Sequence, residues 1–435
     1  MRSRSPETNL SSWLDDHRVI NASGTMTSLG ASSVSPEVAE AVRASLPYFL
    51  NMHSLQALAG RWISRLTGAE AGCVTASVAA GIAVGVAACI AGMDWSLAEA
   101  LPDSSRIARA KIVLQKGHHV DFGSSVGQMI RLGGGTVVEV GSSTSCRCHQ
   151  LEGALDAATA GAVYVISHHT VQSGMIGLKD FISICHARNV AVIVDAASEY
   201  DLRVPVQQDA DIVLYSAHKF LGGLTAGIIA GKKGLVRACY LHQNVGIGRA
   251  MKVGKEGIVG TIAALQRWHS LDHRALHRDE YARALALHQG LSAVHGLAVE
   301  EVPDPTGNPI TRIRVSPSGG PLAAMQLARA LRAGSPPIYV RDHHVDLGYF
   351  ELDPCNLMAG DVEIIITRIQ QEMTSGGVCS KARGEKGVGP RHSRYYEDGL
   401  PGVEASAVPW LLQTSSPSRY DAELLGWPEG EEGSE

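Results

Sequence analysis

Short apolar runs alternate with amphipathic stretches along most of this chain. Leu55, Leu58, Trp62 and Leu66 recur at the spacing of one helix face, so residues 54–67 are expected to form an amphipathic helix. Ser35-Pro36-Glu37-Val38 reads as a helix start, with serine as N-cap and proline in the first turn. Arg18 to Thr25 reads as a short strand running into a polar glycine turn. Continuous apolar runs at 111–115, 136–140, 161–166, 190–194 and 211–215 have the length and flanks of buried parallel strands. Residues 178–188 form a helical stretch between two of them, and 225–231 reads as a strand that hairpins back. Residues 71–81 form a strand-like scrap that turns through small side chains into an Ala/Gly helix. Residues 94–107 look like an inserted loop. Strands alternating with helices predict an α/β fold, its sheet mostly parallel and covered by helices.

The pattern changes after residue 255. A long helical stretch runs from 256 to about 295, followed by strand-like segments at 297–301 and 311–315. A helix at 322–333, strands at 337–341 and 345–352, and a closing helix at 361–373 complete a small α+β C-terminal domain. From 374 onward glycine, serine, proline and charge dominate, which predicts a largely disordered tail, with 410–412 and 420–427 as segments able to dock locally. The expected boundaries are therefore 1–17 (flexible tail), 18–255 (large domain, with 18–50 packing near the small one), 256–373 (linking helix and small domain) and 374–435 (tail).

Composition narrows the class. Charged residues make up 19%, below the usual roughly 25%, which suits an extensively buried α/β enzyme or an oligomer. Net charge is −5 without a long basic block, so no nucleic-acid partner is expected. Residues 1–16 are polar and lack the apolar centre of a signal peptide, and the longest apolar stretch, 78–93, is short for a bilayer. Eight scattered cysteines fit reduced thiols, so a soluble, cytoplasmic protein is expected. Cys146-Arg147-Cys148-His149 lacks a second ligand pair at zinc spacing, so no metal site is expected.

The candidate chemistry centres on Ser216-Ala217-His218-Lys219-Phe220-Leu221-Gly222-Gly223, just past the 211–215 strand. α/β sheets place ligands at the carboxyl ends of their strands. The preceding strand ends in Asp195-Ala196-Ala197. Taken alone, Lys219 reads equally well as a surface lysine capping a strand end. The ordered pair on successive strands is what a pyridoxal 5′-phosphate (PLP) site needs: a lysine for the Schiff base and an aspartate to keep the pyridine nitrogen protonated. Ser77, Val78 and Ala79 open the Ala/Gly helix, where small side chains and free N–H groups suit a phosphate, although tight packing is the plainer reason for such a stretch. Ser216 and His218 are placed to reach the same phosphate, and Ala197 is small enough to lie beneath the ring. Histidines pair at strand ends. Either His118 or His119 is a candidate to stack on the pyridine, with His119 preferred and also assigned to the catalytic set. His168 is a candidate for the cofactor hydroxyl or the substrate, and His343 and His344 read as structural. A substrate carboxylate calls for a bidentate arginine, with Arg341 first and Arg249 second; each reads otherwise as a surface ion-pair partner.

These pieces resemble a known family. Arg18 to Gly24, Thr67 to Ala71, Thr75 to Gly81, Gln115 to His119, Ser216 to Gly223, Arg249 to Lys255 and Ile338 to Arg341 match fold-type I PLP enzymes in order and spacing. The likeness is nearest to the branch containing bacterial selenocysteine synthase and D-glucosaminate-6-phosphate ammonia-lyase, and covers roughly residues 17–373. It implies a seven-stranded, mostly parallel large-domain sheet, a homodimer or higher assembly, and Asn21 and Ser23 as further substrate contacts. The Ala100 to Asp103 insertion, and the lack of a counterpart to the tRNA-holding N-terminal domain of selenocysteine synthase, place the chain nearer the ammonia-lyases. Leu224-Thr225 departs from the proline that many relatives carry after the double glycine, a change at the pocket mouth.

The activity implied is α,β-elimination with ammonia release from a hydroxylated amino acid or amino sugar acid, through a Schiff base on Lys219. The same residues also serve an aminotransferase or a β-replacement enzyme of the selenium- or sulfur-transferase kind. A non-catalytic scaffold is the alternative of another class; the intact Lys219, Asp195 and phosphate loop argue against it.

Overall fold

The computed structural model describes residues 10–374. In chain order its strands are β1 (Ile20–Ala22), β2 (Ala71–Thr75), β3 (Lys111–Gln115), β4 (Thr136–Val140), β5 (Thr159–Val165) and β6 (Ala191–Asp195). They continue as β7 (Ile212–Ser216), β8 (Gly227–Gly231), β9 (Leu297–Pro303), β10 (Thr311–Pro317), β11 (Ile338–Val340) and β12 (Phe350–Leu352). Seven form one sheet in the order β2-β8-β7-β6-β5-β3-β4. β3, β4, β5, β6 and β7 pair in parallel, while β8 runs against both β7 and β2. The short link 217–226 explains the reversal, because a parallel return needs a crossover of a dozen or more residues.

Side-chain alternation sorts the strands onto two faces. Val113, Val192, Val194, Val213 and Tyr215 pack on one face with Phe181, Ile182, Ile258 and Ile63 from helices Leu178–His186, Lys255–Ser270 and Met52–Thr67. Ile112, Leu114, Ile193, Ile212 and Leu214 pack on the other with Ile82, Val84, Val236 and Cys239 from helices Val78–Ala91 and Lys233–Asn244. With both faces covered, the strands read as unbroken apolar runs, which is why they are visible in the sequence. Small residues let Val78–Ala91 lie close to the sheet. A methyl group at Gly81 would meet Leu214 Cδ2 at 3.1 Å.

The C-terminal part has its own core. β9 and β12 flank β10 in an antiparallel sheet, packed with helices His273–Ser292, Gly320–Ala333 and Asp361–Thr374. β1 pairs in parallel with β11, and Ile20 and Ala22 join this second core, although they precede it by some three hundred residues in the chain (318 between Ile20 and Ile338).

Local readings needed correction in four places. The 256–295 stretch is two helices, because Leu271 leaves helical geometry and Asp272 caps the next helix by accepting from Ala275 N. The inserted loop contains a helix, Trp95–Ala100, capped by Asp94. Residues 345–352 are not one strand: a 3-10 turn, Val345–Leu347, ends at Gly348 (φ 92°) before β12 begins. Within the presumed N-terminal tail, Leu10–Asp16 forms an exposed helical turn. The expectations for 1–9 and for the tail from 375, including 410–412 and 420–427, lie outside the described residues.

Candidate active site

The strand ends of the large sheet bring the predicted residues together. Val165, Asp195 and Leu214 share one register row across β5, β6 and β7. Thr75, Gly227 and Ser216 share another across β2, β8 and β7. Lys219 sits on a tight turn closed by Ala217 N donating to Ala226 O (3.0 Å) and Gly223 N donating to Ala217 O (2.8 Å). Gly222 takes φ +66° within it, a conformation costly for other residues. The Lys219 amine donates to Ser198 Oγ (2.5 Å), on the turn that follows Asp195.

Asp195 is buried, and its Oδ1 accepts one backbone hydrogen bond, from Ala197 N (3.0 Å). Burial pushes its carboxyl above the usual range, opposed by the Ala197 N–H and the Lys219 charge. Burial likewise pushes the Lys219 amine down, while Asp195 and Glu199 pull it back up. A buried carboxylate so short of donors is suited to a cationic partner.

The helix Val78–Ala91 starts beside this pair. Its N-cap Ser77 accepts from Ala80 N (3.1 Å), and the first helical N–H groups have no partner within the helix. A methyl at Gly227 would strike the Ser77 backbone at 2.5 Å, so β8 needs glycine there for the helix start to approach. Ser216 Oγ and His218 Nδ1 are 2.9 Å apart, and Ser32 Oγ donates to His218 O (2.6 Å).

The C-terminal part contributes Arg312 and Arg341 to the facing wall. Thr25, His168, Ser198, Glu199, Arg312 and Arg341 are among the residues lining a small hollow there. Arg312 is buried between Asp304 and Asp353, at 2.7 Å from each. Burial pushes Asp353 up, but Arg312 and Arg341 outweigh it and hold the carboxyl below its ordinary value. Arg341 donates to Ser23 O (3.3 Å), while its Nε, 3.7 Å from Glu351, makes no hydrogen bond. The buried Nε2 of His168 also has no partner, and burial together with Arg341 keeps that ring neutral. Its ring centroid lies 3.9 Å from that of His169.

Other predicted residues are placed differently. His118 Nδ1 accepts from Val165 N (3.2 Å) and its ring meets Tyr164 edge-on; burial pushes its pKa down to about 4. His119 stands at the end of β3, with Nδ1 on Glu139 Oε1 and Nε2 accepting from Gly127 N (3.2 Å). Asn21 and Ser23 are tied into their own turn, Asn21 Oδ1 accepting from Ser23 N and Oγ and Asn21 Nδ2 donating to Gly24 O. Arg249 lies exposed on a 3-10 turn, Ile247–Met251. Sequence reasoning missed Ser198, Glu199, Asp304, Thr306, Asn308, Arg312 and Asp353. The available signals were the polar Ser198-Glu199 directly after Asp195-Ala196-Ala197, and the Asp304-x-Thr306-x-Asn308 spacing in a proline-rich loop. Among the described residues, no group of three or more His, Cys, Asp or Glu side chains is placed to hold a metal ion, and no helix is long and apolar enough to cross a membrane.

PLP fits these residues. Lys219 would supply the amine, Asp195 the buried acid, and the Ser77 helix start an anion cradle, and Lys219 and Asp195 are near enough to influence each other's charge.

Comparison with known proteins agrees. Residues 19–280 match the family model described as L-seryl-tRNA selenium transferase (SelA). The chain is 40% identical over 365 residues to D-glucosaminate-6-phosphate ammonia lyase of Salmonella typhimurium, covering 83% of this chain and 97% of that protein. It is 36% identical over 363 residues to a Streptomyces 5′-C-glycyluridine monooxygenase-decarboxylase, covering 82% and 90%. An L-seryl-tRNA(Sec) selenium transferase from Aquifex aeolicus is 24% identical over 371 residues, covering 74% and 78%. Among solved structures, that of D-glucosaminate-6-phosphate ammonia-lyase superposes with a TM-score of 0.75 at 39% identity, covering 85% of this chain and all of that one.

Proposed function

This chain belongs to the L-seryl-tRNA selenium transferase (SelA) family and is a PLP-dependent enzyme, and from that premise we propose that it is an ammonia-lyase acting on a hydroxylated amino acid or amino sugar acid. The observation that carries this reading is the pairing of Lys219 and Asp195 opposite a small hollow with an incompletely bonded arginine. The 40% identical relative is named for a small-molecule substrate.

When bound, PLP supplies the electron sink that stabilises negative charge at the substrate Cα. Lys219 Nζ would hold the cofactor, and its amine, oriented by Ser198 Oγ, would take the Cα proton. Asp195 would keep the ring nitrogen protonated, and Ser216, His218 and the Ser77–Ala79 helix start would bind the phosphate. His119, fixed by Glu139 and Gly127, and the small Ala197 would pack against the cofactor. Arg341 binds the substrate carboxylate through the donors that Ser23 O leaves open, with neutral His168 beside it.

The assembly in this reading is a homodimer or a higher homo-oligomer. Leu46, Tyr48, Phe49, Leu50 and Met52 form an exposed apolar run, with Phe49 fully exposed (103%), and Lys255 Nζ braces it by donating to Leu46 O and Tyr48 O. A second copy would cover it. A cytoplasmic location is supported by the unpaired cysteines among the described residues.

The test is incubation of purified protein with β-hydroxy amino acids and amino sugar acids, following ammonia, 2-oxo acid and the cofactor spectrum. Ammonia and 2-oxo acid in equal amounts support the lyase. Conversion of PLP to its amine form without ammonia release would move the chain to aminotransfer. Oxygen uptake with CO₂ release would move it to the chemistry named for the Streptomyces relative.

A further inference from the structure

We propose that Glu199 is the general acid that protonates the departing β-hydroxyl, a role that rests on the lyase reading above. Glu199 lines the hollow with Arg341 and His168, one residue after the Ser198 hydroxyl that receives the Lys219 amine. The hydroxyl that holds the proton-abstracting amine and the group that would serve the β-substituent therefore lie on adjoining positions of one turn.

The carboxyl is held from across the domain boundary. Glu199 N donates to Ala196 O (3.1 Å), which fixes the turn. Thr306 Oγ1 (3.0 Å) and Asn308 Nδ2 (3.5 Å) donate to Glu199 Oε1. Asn308 is itself anchored, donating to Ser198 O (3.0 Å) and accepting from Tyr200 N (2.8 Å). Among the described residues no hydrogen bond reaches Oε2, so that oxygen is available to a ligand in the hollow.

The same contacts favour a protonated Glu199. Thr306 Oγ1 lies between Glu199 Oε1 and Asp304 Oδ1 (2.7 Å) but carries one proton. Asp304 is ion-paired with Arg312, and an anion at Glu199 would be left short of a donor. The charged and titratable groups around Glu199 are Asp195, Asp304, Lys219 and Tyr215, together with His168, Arg312, Arg341 and Asp353, which line the same hollow. Burial, reinforced by Asp304 and Asp195 against the Thr306 and Asn308 hydrogen bonds, pushes its pKa up to about 7. That value suits an acid working near neutrality. His168, kept neutral by burial and by Arg341, is a poor alternative donor.

The step balances. Lys219 Nζ takes the Cα proton, and the electron pair left at Cα forms the Cα–Cβ double bond. The Cβ–O bond breaks with its pair on oxygen, and Glu199 gives the proton that turns this hydroxyl into water. The proton held by Lys219 restores Glu199, so the substrate has lost one water.

The test compares serine with β-chloroalanine, both enantiomers of each, on the holoenzyme, because chloride leaves without a proton. In the wild type the ratio of hydroxyl to chloride elimination should fall as pH rises through about 7, as Glu199 ionises. In Glu199→Gln, hydroxyl elimination should drop by about 10²–10⁴-fold, while chloride elimination and Cα–H exchange with D₂O stay within a few-fold. Equal slowing of both leaving groups, or of neither, overturns the assignment. The wild-type ratio decides it even where the variant folds poorly. A wild type that exchanges Cα–H yet expels neither group ends the lyase reading, whereas one that expels both at a pH-independent ratio ends only the role of Glu199.

Discussion

The two walls of the hollow are built on opposite principles. The large-domain wall takes its shape from backbone: parallel strands end in register, and Asp195, Ser216 and Lys219 follow from where β6 and β7 stop. The facing wall is a side-chain construction, in which Arg312 bridges Asp304 and Asp353 and Asn308 reaches over to Ser198. A backbone-built wall suits a constant cofactor, and a side-chain-built wall suits a substrate that differs between relatives. Two relatives of similar identity but different named activities fit that division.

The contrast can be broken most sharply at Lys219. Lys219→Ala should remove the Schiff-base absorbance and lower turnover by at least about 10⁴-fold; a variant that keeps the absorbance would place the cofactor bond elsewhere. Next comes Arg312→Met, which leaves two carboxylates buried without their partner. It should cost about 3–5 kcal/mol, read as a lower denaturant midpoint, with the cofactor spectrum of the folded fraction unchanged. A spectral change there would mean that the two walls are not independent. Arg341→Lys keeps the charge but loses the fork, so KM should rise about tenfold with kcat less affected, a loss of about 1.4 kcal/mol in substrate binding. The smallest effect is expected at His119→Ala, which should loosen the cofactor by about 0.5–1.5 kcal/mol in a dialysis titration, with His119→Phe restoring most of it.

The difference between the walls also explains what could be read from the chain. β6 and β7 are short apolar runs closed by polar residues, and Lys219 lies three positions past Ser216, so strand, turn and chemistry are neighbours in sequence. The central parallel strands were legible for the same reason, since strands buried on both faces leave an unbroken signal, while the count of seven came from the family resemblance. Arg312 and Asp353 are 41 positions apart, and Asn308 stands 110 from Ser198, so no local pattern marks them as partners. Glu199 was overlooked although it lies four residues after Asp195, because its setting depends on Thr306 and Asn308. Caps misled in a smaller way. Asp94 and Asp272 each begin a helix by accepting backbone N–H groups, where the apolar pattern alone suggested a loop or an unbroken helix.

The early part of the chain acts as a mechanical strap. Ile20–Ala22 is stitched into the C-terminal sheet beside Ile338–Val340, Asn356 Nδ2 clasps Gly24 O and Ala31 O, and a residue further on Ser32 grips the carbonyl of His218. A dozen residues thus run from the substrate-facing lobe to the doorstep of the reactive amine. The backbone around the lysine turn and the C-terminal sheet are thus tied to one short stretch of chain.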